Sequence, residues 1–332
     1  MKKYIIPSLL LVLFGIGYVE AKTSGGGPPP SFSINNTDPS FEMYPWLTGP
    51  LLAPSGHNVP QGHVNIEPYL YWTQYRGFYD HNYKFVGTHH FTSVTLQVPF
   101  QFGILPATEF DVVPQVFYNY SQGQTSWEFG DLGLVLSFQL LNDKQGQAWP
   151  PAIKLRFSAN APTGKFDHLN PHKKGTDIGG GGSWAPNVGV VFSNLYHFSG
   201  PHFLAMRTFL SYGPTAPFSA RGLNVYGGTK GTRGTVYPGG NLSANIGLEY
   251  SLSQAWTLAL DLLYTYQAKN RFSGHDAGVS MRSPSSVNYS LAPAIEYNFT
   301  NRIGLIGGSW FTVAGRNSAQ YINWVLALNV YI

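Results

Sequence analysis

From residue 64 to the C-terminus, apolar and polar residues alternate with a period of two through most of the chain. In residues 130–141, Leu132, Leu134, Leu136, Phe138 and Leu140 share one face, with Asp131, Gly133, Ser137 and Gln139 opposite. After the polar break "NDKQGQAWP", Ile153, Leu155, Phe157 and Ala159 alternate with Lys154, Arg156, Ser158 and Asn160. Successive side chains of a strand point to opposite faces, so each run predicts a strand with one apolar face. The pattern recurs at Val64 to Trp72, Val94 to Phe100, Phe110 to Tyr118, Val188 to Phe192, Leu204 to Leu210 and Leu242 to Tyr250. It continues at Trp256 to Tyr264, Tyr289 to Tyr297, residues 302–314 and Ile322 to Val330, which makes twelve candidate strands. Pro68 and Pro293 fall inside two of them and mark places for a bulge.

A water-soluble sandwich and a membrane barrel share this alternation, but their connections differ. Short joins fall at "ILPATE", "NDKQGQA", "YHFSGPH", "SLSQA" and "FTNR". Between them lie longer Gly-rich and polar segments at 76–89, 120–127, 161–183, 213–238 and 268–286, with a brief last one at 314–319. Short turns at one end and long loops at the other are the arrangement of bacterial outer-membrane barrels with both termini in the periplasm. The expected fold is therefore all-β, a transmembrane antiparallel barrel of about twelve strands over residues 63–332.

Composition points the same way. Charged residues are 11% of the chain and aromatics 15%, with 38 glycines, whereas soluble domains carry about 25% charged residues. Beyond the N-terminus no run has the ~18 continuous apolar residues of a membrane helix. Tyr and Trp gather near strand ends, at Trp72, Tyr75, Tyr118, Tyr120, Trp127, Trp149, Tyr196, Tyr212, Tyr250 and Trp256, where amphipathic rings suit membrane interfaces.

At the N-terminus, Lys2 and Lys3 precede the apolar run "YIIPSLLLVLFGIGYV", and small residues precede Lys22, so residues 1–21 read as a secretory signal peptide. Taking away Lys2, Lys3 and Glu20 leaves 18 basic and 15 acidic side chains, too mild a balance to indicate nucleic acid. Residues 22–62 lack strand periodicity. Phe41, Met43, Tyr44, Trp46, Leu47, Leu51 and Leu52 are too apolar for a solvated tail, so this extension is expected as a plug inside the barrel or across its mouth.

If the Leu-rich faces meet lipid, the opposite faces carry Glu67, Asp111, Asp131, Lys154, Arg156, Arg207, Glu249, Asp261 and Glu296 into the lumen. A charged Lys or Arg on the lipid face would cost ~2–4 kcal/mol at the bilayer midplane, so the register is strongly specified. These residues serve equally as salt-bridged struts or as the lining of a solute path.

Evidence for chemistry is thin. The chain has no cysteine, which removes thiolate metal sites and cysteine nucleophiles. No Gly-x-Ser-x-Gly occurs, and His89, His90, His275 and Asp276 lie in expected loops without a recognised ligand spacing. The triplet Thr163-Gly164-Lys165 lacks the remainder of a phosphate loop, because Ala159 and Phe166 occupy two of its fixed positions. Gly179 to Gly182 reads as a flexible loop entering a strand. No cofactor, metal or catalytic residue is assigned.

The strand "GDLGLVLSFQLL" and the following "PAIKLRFSANAPTGKFD" resemble a hairpin of the outer-membrane transporter family of the phenol meta-degradation pathway. The matching positions are Gly130, Asp131 and Leu132, then Pro162, Thr163 and Gly164. The resemblance implies a β-barrel and uptake of small aromatic or other hydrophobic molecules. The chain ends on Tyr331-Ile332, whereas many such barrels end on an aromatic residue.

The function expected from the sequence is an outer-membrane channel or uptake pore, with membrane lipids and small solutes as partners. A second reading is a structural or surface-interaction barrel whose long loops bind lipopolysaccharide or a host or cell-surface partner, with loop 213–238, basic through Arg221, Lys230 and Arg233, suited to lipopolysaccharide phosphates. A membrane hydrolase is the third.

Overall fold

A computed structural model describes residues 44–143, 149–276 and 281–332. The expected signal peptide, the extension as far as residue 43, and with it Phe41 and Met43, lie outside the described residues.

Twelve antiparallel strands close into a barrel. Eight run without interruption: β9 (Ala152–Ala161), β10 (Ala185–Ser199), β11 (His202–Gly213), β14 (Asn241–Ser251), β15 (Trp256–Gln267), β17 (Ser286–Asn298), β18 (Ile303–Arg316) and β19 (Ser318–Tyr331). The other four are each broken into two segments. These are β1 (Val64–Ile66) with β2 (Tyr69–Tyr79), β3 (Phe85–Gln97) with β4 (Phe100–Leu105), β5 (Thr108–Val113) with β6 (Gln115–Ser121), and β7 (Gln124–Phe129) with β8 (Leu132–Leu141). Closure joins the last strand to the first, with Ala327 opposite Tyr69 and Tyr331 opposite Asn65. Closure leaves no edge in lipid, which a spanning sheet requires because bilayer hydrocarbon offers no hydrogen-bond partners.

The four breaks fall beside one another at Glu67-Pro68, Val98-Pro99, Pro114 and Gly130-Asp131. Proline has no N–H for the ladder, but its carbonyl still accepts. Glu67 N donates to Pro99 O at 3.1 Å, Val98 N to Pro114 O at 3.0 Å and Leu328 N to Pro68 O at 3.1 Å. The ladders are therefore interrupted along this line without the wall parting. Pro293 behaves differently, since β17 keeps one register with β18 on both sides of it and the irregularity sits at Tyr289/Ser290.

Several expected loops are strands. Residues 76–89 and 120–127 are mostly the long hairpins β2–β3 and β6–β7, turning at residues 80–84 and at Gln122-Gly123, where both turn residues have positive φ. Two positive φ values in a two-residue connection match the right-handed twist of the flanking strands. His89 and His90 consequently lie on β3 instead of in a loop. Loops 214–240 and 268–285 also build a second sheet from β12 (Phe218–Arg221), β13 (Arg233–Tyr237) and β16 (Arg271–His275). Polar, Gly-punctuated strands of four or five residues carry too little periodicity to be seen in sequence.

The outward face carries the expected leucines and aromatics, with Leu70, Trp72, Leu96, Leu210, Leu258, Leu262, Trp324 and Leu326 exposed. Tyr75 differs from the rest of the expected girdle. The register shifts between Tyr75 and Gly77, and the Tyr75 ring packs inward against Phe91 and Tyr321.

Candidate functional site

The barrel interior is divided between two kinds of surface. Around β2, β15, β17, β18 and β19, the inward residues Tyr69, Tyr71, Leu263, Ile306, Trp310, Tyr321 and Val325 form one apolar cluster with Leu51 and Leu52 of the N-terminal extension. Trp310 and Tyr321 meet edge to face at 5.1 Å between ring centroids, and the Trp310 indole N–H donates to Ser290 Oγ at 2.8 Å. The remaining wall is polar and charged. Glu67, Asp111, Asp131, Lys154, Arg156, Arg207, Glu249, Asp261 and Glu296 all lie buried on the face opposite the exposed leucines. Glu109, fully buried beside them, was not among the expected residues. It stands two positions before Asp111 in the same alternation, one residue outside the run that begins at Phe110.

With Glu109 the wall buries seven carboxylates against three bases. Buried charges need partners, and direct ion pairs satisfy only some. Lys154 Nζ lies 2.7 Å from Glu109 Oε1 and Arg207 3.0 Å from Glu249.

Asp261 and Glu296, and Glu109 with its second oxygen, turn toward backbone amides of residues 44–62, which cross the lumen as an irregular strap, while Glu67 accepts from the side chains of Asn65, Tyr69 and Asn329. Thr48 N donates to Glu296 Oε1. Leu52 N and Ala53 N donate to the two oxygens of Asp261 at 3.0 and 2.8 Å. Val59 N donates to Glu109 Oε2 at 2.6 Å, and Lys154 Nζ donates to the carbonyl of His57 at 3.1 Å. A buried segment without regular structure must have its backbone groups met one by one, and the wall carboxylates do that. Pro45, Pro50, Pro54 and Pro60 lower the demand, because each removes an amide that would need an acceptor.

The strap enters beside the turn at 252–255, where Trp46 N donates to Gln254 O at 2.9 Å, and leaves past Gly103, whose N–H donates to His63 O at 3.1 Å. A side chain at Gly103 would stand 2.0 Å from the Pro60 carbonyl, so only glycine lets the strap pass. Gly49, at φ 107°, supplies the one left-handed bend within the buried portion. Of the expected plug residues, Leu51 and Leu52 are fully or almost fully buried; Tyr44, Trp46 and Leu47 are half-buried, with the Tyr44 ring 5.1 Å from that of Phe203. Where the strap nears the end of β8, His57 Nε2 lies 2.8 Å from Asp143 Oδ1. Burial pushes the Asp143 carboxyl up, but the hydrogen bond and charge of His57 outweigh it and hold the group below its ordinary range.

The hairpin motif forms a second cluster, where β9 ends and the chain leaves the wall. Thr163 Oγ1 donates to Gly130 O and accepts from Leu132 N, both at 3.0 Å. The Asp131 carboxylate accepts from Gly164 N at 2.9 Å and Gly181 N at 2.8 Å. Gly179 to Gly182, expected as a flexible loop, is buried here, and a Cβ on Gly180 would lie 2.2 Å from Asp131 Oδ1. Gly180→Val is therefore expected to destabilise this junction by about 1–3 kcal/mol through overpacking. The check is proteolysis of loop 162–184, which should accelerate while the barrel remains folded.

Among the described residues, no group of three or more His, Asp or Glu is arranged to hold a metal ion.

No protein-family model matches the chain, and no curated protein matches it. Among solved structures it is similar to the COG4313 outer membrane channel from Pseudomonas putida F1, with a TM-score of 0.64 at 14% identity, covering 84% of this chain and 98% of that one. The NanC porin matches at a TM-score of 0.41 and 10% identity, over 80% of this chain and 98% of that one. The translocator domain of autotransporter NalP from Neisseria meningitidis matches at 0.40 and 14%, over 81% and 87%. The chain has the fold of outer-membrane β-barrels.

Proposed function

We propose that the protein is an outer-membrane uptake pore for small molecules, hydrophobic or aromatic ones among them, and that residues 44–62 are its plug. The observation carrying this reading is the strap itself. It lies across the lumen with its amides on wall carboxylates and Leu51 and Leu52 against an aromatic surface. A barrel needed only as a rigid fixture could fill its interior with wall side chains, as narrower barrels do. A separate segment held mainly by hydrogen bonds can be withdrawn while the closed wall stays intact.

The amphipathic lining supports the substrate class. Tyr69, Tyr71, Trp310 and Tyr321 offer faces for stacking aromatic solutes, while the nine charged residues expected in the lumen, together with Glu109, carry the polar side of the path. The hairpin motif supports kinship with the phenol meta-degradation transporters, because each of its polar positions has a task at the β8–β9 junction. The paired ends of β1 and β19, with Val64 N bonded to Ile332 O at 3.0 Å, fit a periplasmic placement of both termini beside the short turns. The proposal gives no residue a catalytic role.

Solute flux into liposomes holding the purified barrel tests the reading. Deletion of residues 44–62 is expected to raise the flux of a small aromatic solute well above that of the full chain. If both proteins leave the vesicles sealed, the pore reading fails.

A further inference from the structure

The second sheet has two unlike faces. Phe218, Val236 and Phe272 stand opposite one another on one face, together with Ala220, and pack into an apolar cluster with Leu169, Ile178, Val225 and Met281. The segment carrying Leu169 and Ile178 is tied to the inner face of the barrel, where Asn119 Nδ2 donates to the carbonyls of Thr176 and Ile178 at 3.0 and 3.2 Å. The apolar face is thus turned toward the barrel axis, and the other face looks outward from the side of the molecule.

That outward face is ordered in rows by the register. Tyr237 pairs with Arg271 nearest the barrel. Ser219, Thr235 and Ser273 form the next row, and Arg221, Arg233 and His275 the outermost. Rows two residues apart are separated by about 6.6 Å. Both arginines and the histidine of the outer row are exposed, as are Arg271 and Tyr237. Like charges directly opposite on neighbouring strands destabilise a sheet, and here no ion pair relieves Arg221, Arg233 or Arg271 among the described residues. Loops 214–240 and 268–285 carry six Lys and Arg against the single acid Asp276, whose carboxylate is bonded to Thr229.

The height of the face relative to the membrane is also fixed. Arg271 comes four residues after the end of β15 at Gln267, hence within roughly 14 Å of the rim. Just below lie the outward rings of Tyr212, Tyr264 and Tyr289, the last two 5.2 Å apart, at the level of an interfacial aromatic belt.

We propose that this face binds the phosphorylated sugar headgroup of an outer-leaflet glycolipid, with Arg221, Arg233 and Arg271 holding phosphates and Ser219, Thr235 and Ser273 meeting sugar hydroxyls. Guanidinium groups match phosphate oxygens in bidentate pairs, and a row of hydroxyls between two basic rows suits an anionic saccharide. The site is independent of what passes through the lumen, so it stands or falls apart from the pore.

The test is binding of diphosphorylated lipid A to the full-length barrel in detergent, read as lipid adducts by native mass spectrometry. Arg221→Gln with Arg233→Gln is expected to weaken binding about tenfold or more, from the loss of two charge-assisted contacts. Arg271→Gln should weaken it separately. Lys84→Gln with Lys174→Gln, exposed positions outside the three strands of this sheet, should leave it unchanged. All variants should keep heat-modifiable migration, because every substituted side chain is exposed. Equal binding by the double-arginine variant would overturn the proposal, as would equal loss in the lysine control or equal binding of dephosphorylated lipid. Complete displacement by equimolar inorganic phosphate would reassign the face to a free anion and overturn the lipid assignment.

Discussion

Asp261→Ala should release the middle of the strap while leaving the barrel closed. The Asp261 carboxylate is fully buried and accepts from Leu52 N, Ala53 N and the Asn245 amide. Its removal leaves these donors without an acceptor, at about 1–3 kcal/mol for each buried polar group orphaned. The cheapest relief is for the strap to move to water, because its backbone belongs to no ladder. Thermolysin, which cuts before leucine, should then reach Leu51 and Leu52, which are protected in the parent protein. Asp261→Asn retains one acceptor oxygen and should give an intermediate rate. Glu296→Gln, which weakens the Thr48 anchor, should add to either. Unchanged protection in Asp261→Ala would mean that apolar packing of Leu51 and Leu52 alone holds the strap.

Lys154→Met should have the largest effect on stability. Lys154 and Glu109 are both fully buried and 2.7 Å apart, and each also holds the strap, at His57 O and Val59 N. Removing one partner of a buried pair leaves an uncompensated charge and costs about 3–5 kcal/mol, whereas replacing both is often close to neutral. Lys154→Met with Glu109→Gln should therefore be more stable than Lys154→Met alone, a comparison made by thermal unfolding in detergent. If the single change were neutral, water would have to reach this pair in the native barrel.

The strands were legible because lipid and lumen impose opposite demands on alternate residues. Leu132 to Leu140 and Ile153 to Ala159 declare both their extent and their facing, and the charged positions opposite them follow by parity. Glu109 was missed because the apolar run begins one residue after it, although the parity of Asp111 reaches it. The hairpins around residues 80–84 and 122–123 lose the alternation, because Phe78-Tyr79 and Phe85-Val86 put apolar residues on both faces and residues 121–126 are polar on both, so each reads as loop. The line of breaks depends on four interruptions being neighbours in space, which pairing creates and no single strand shows. The strap was legible as a plug only through its apolar content. Its path depends on which carboxylate meets which amide, and Thr48 with Glu296 spans most of the chain. The motif at Asp131 and Gly164 was visible as a pattern, but its chemistry appears only when Gly181 arrives from the far end of the loop.

The central claim, that passage requires the strap to move, is tested most directly by locking it. Ala53 on the strap faces Gly247 on β14, where a Cβ would lie 2.6 Å from that of Ala53. A shift of about 1 Å brings two such positions to disulfide spacing, and the chain has no other cysteine. Ala53→Cys with Gly247→Cys, its cross-link verified by migration on a non-reducing gel, gives one protein in two states. Reconstituted in liposomes, it should be sealed to a small aromatic solute when oxidised and should pass it when reduced. Equal flux in the two states would contradict the account.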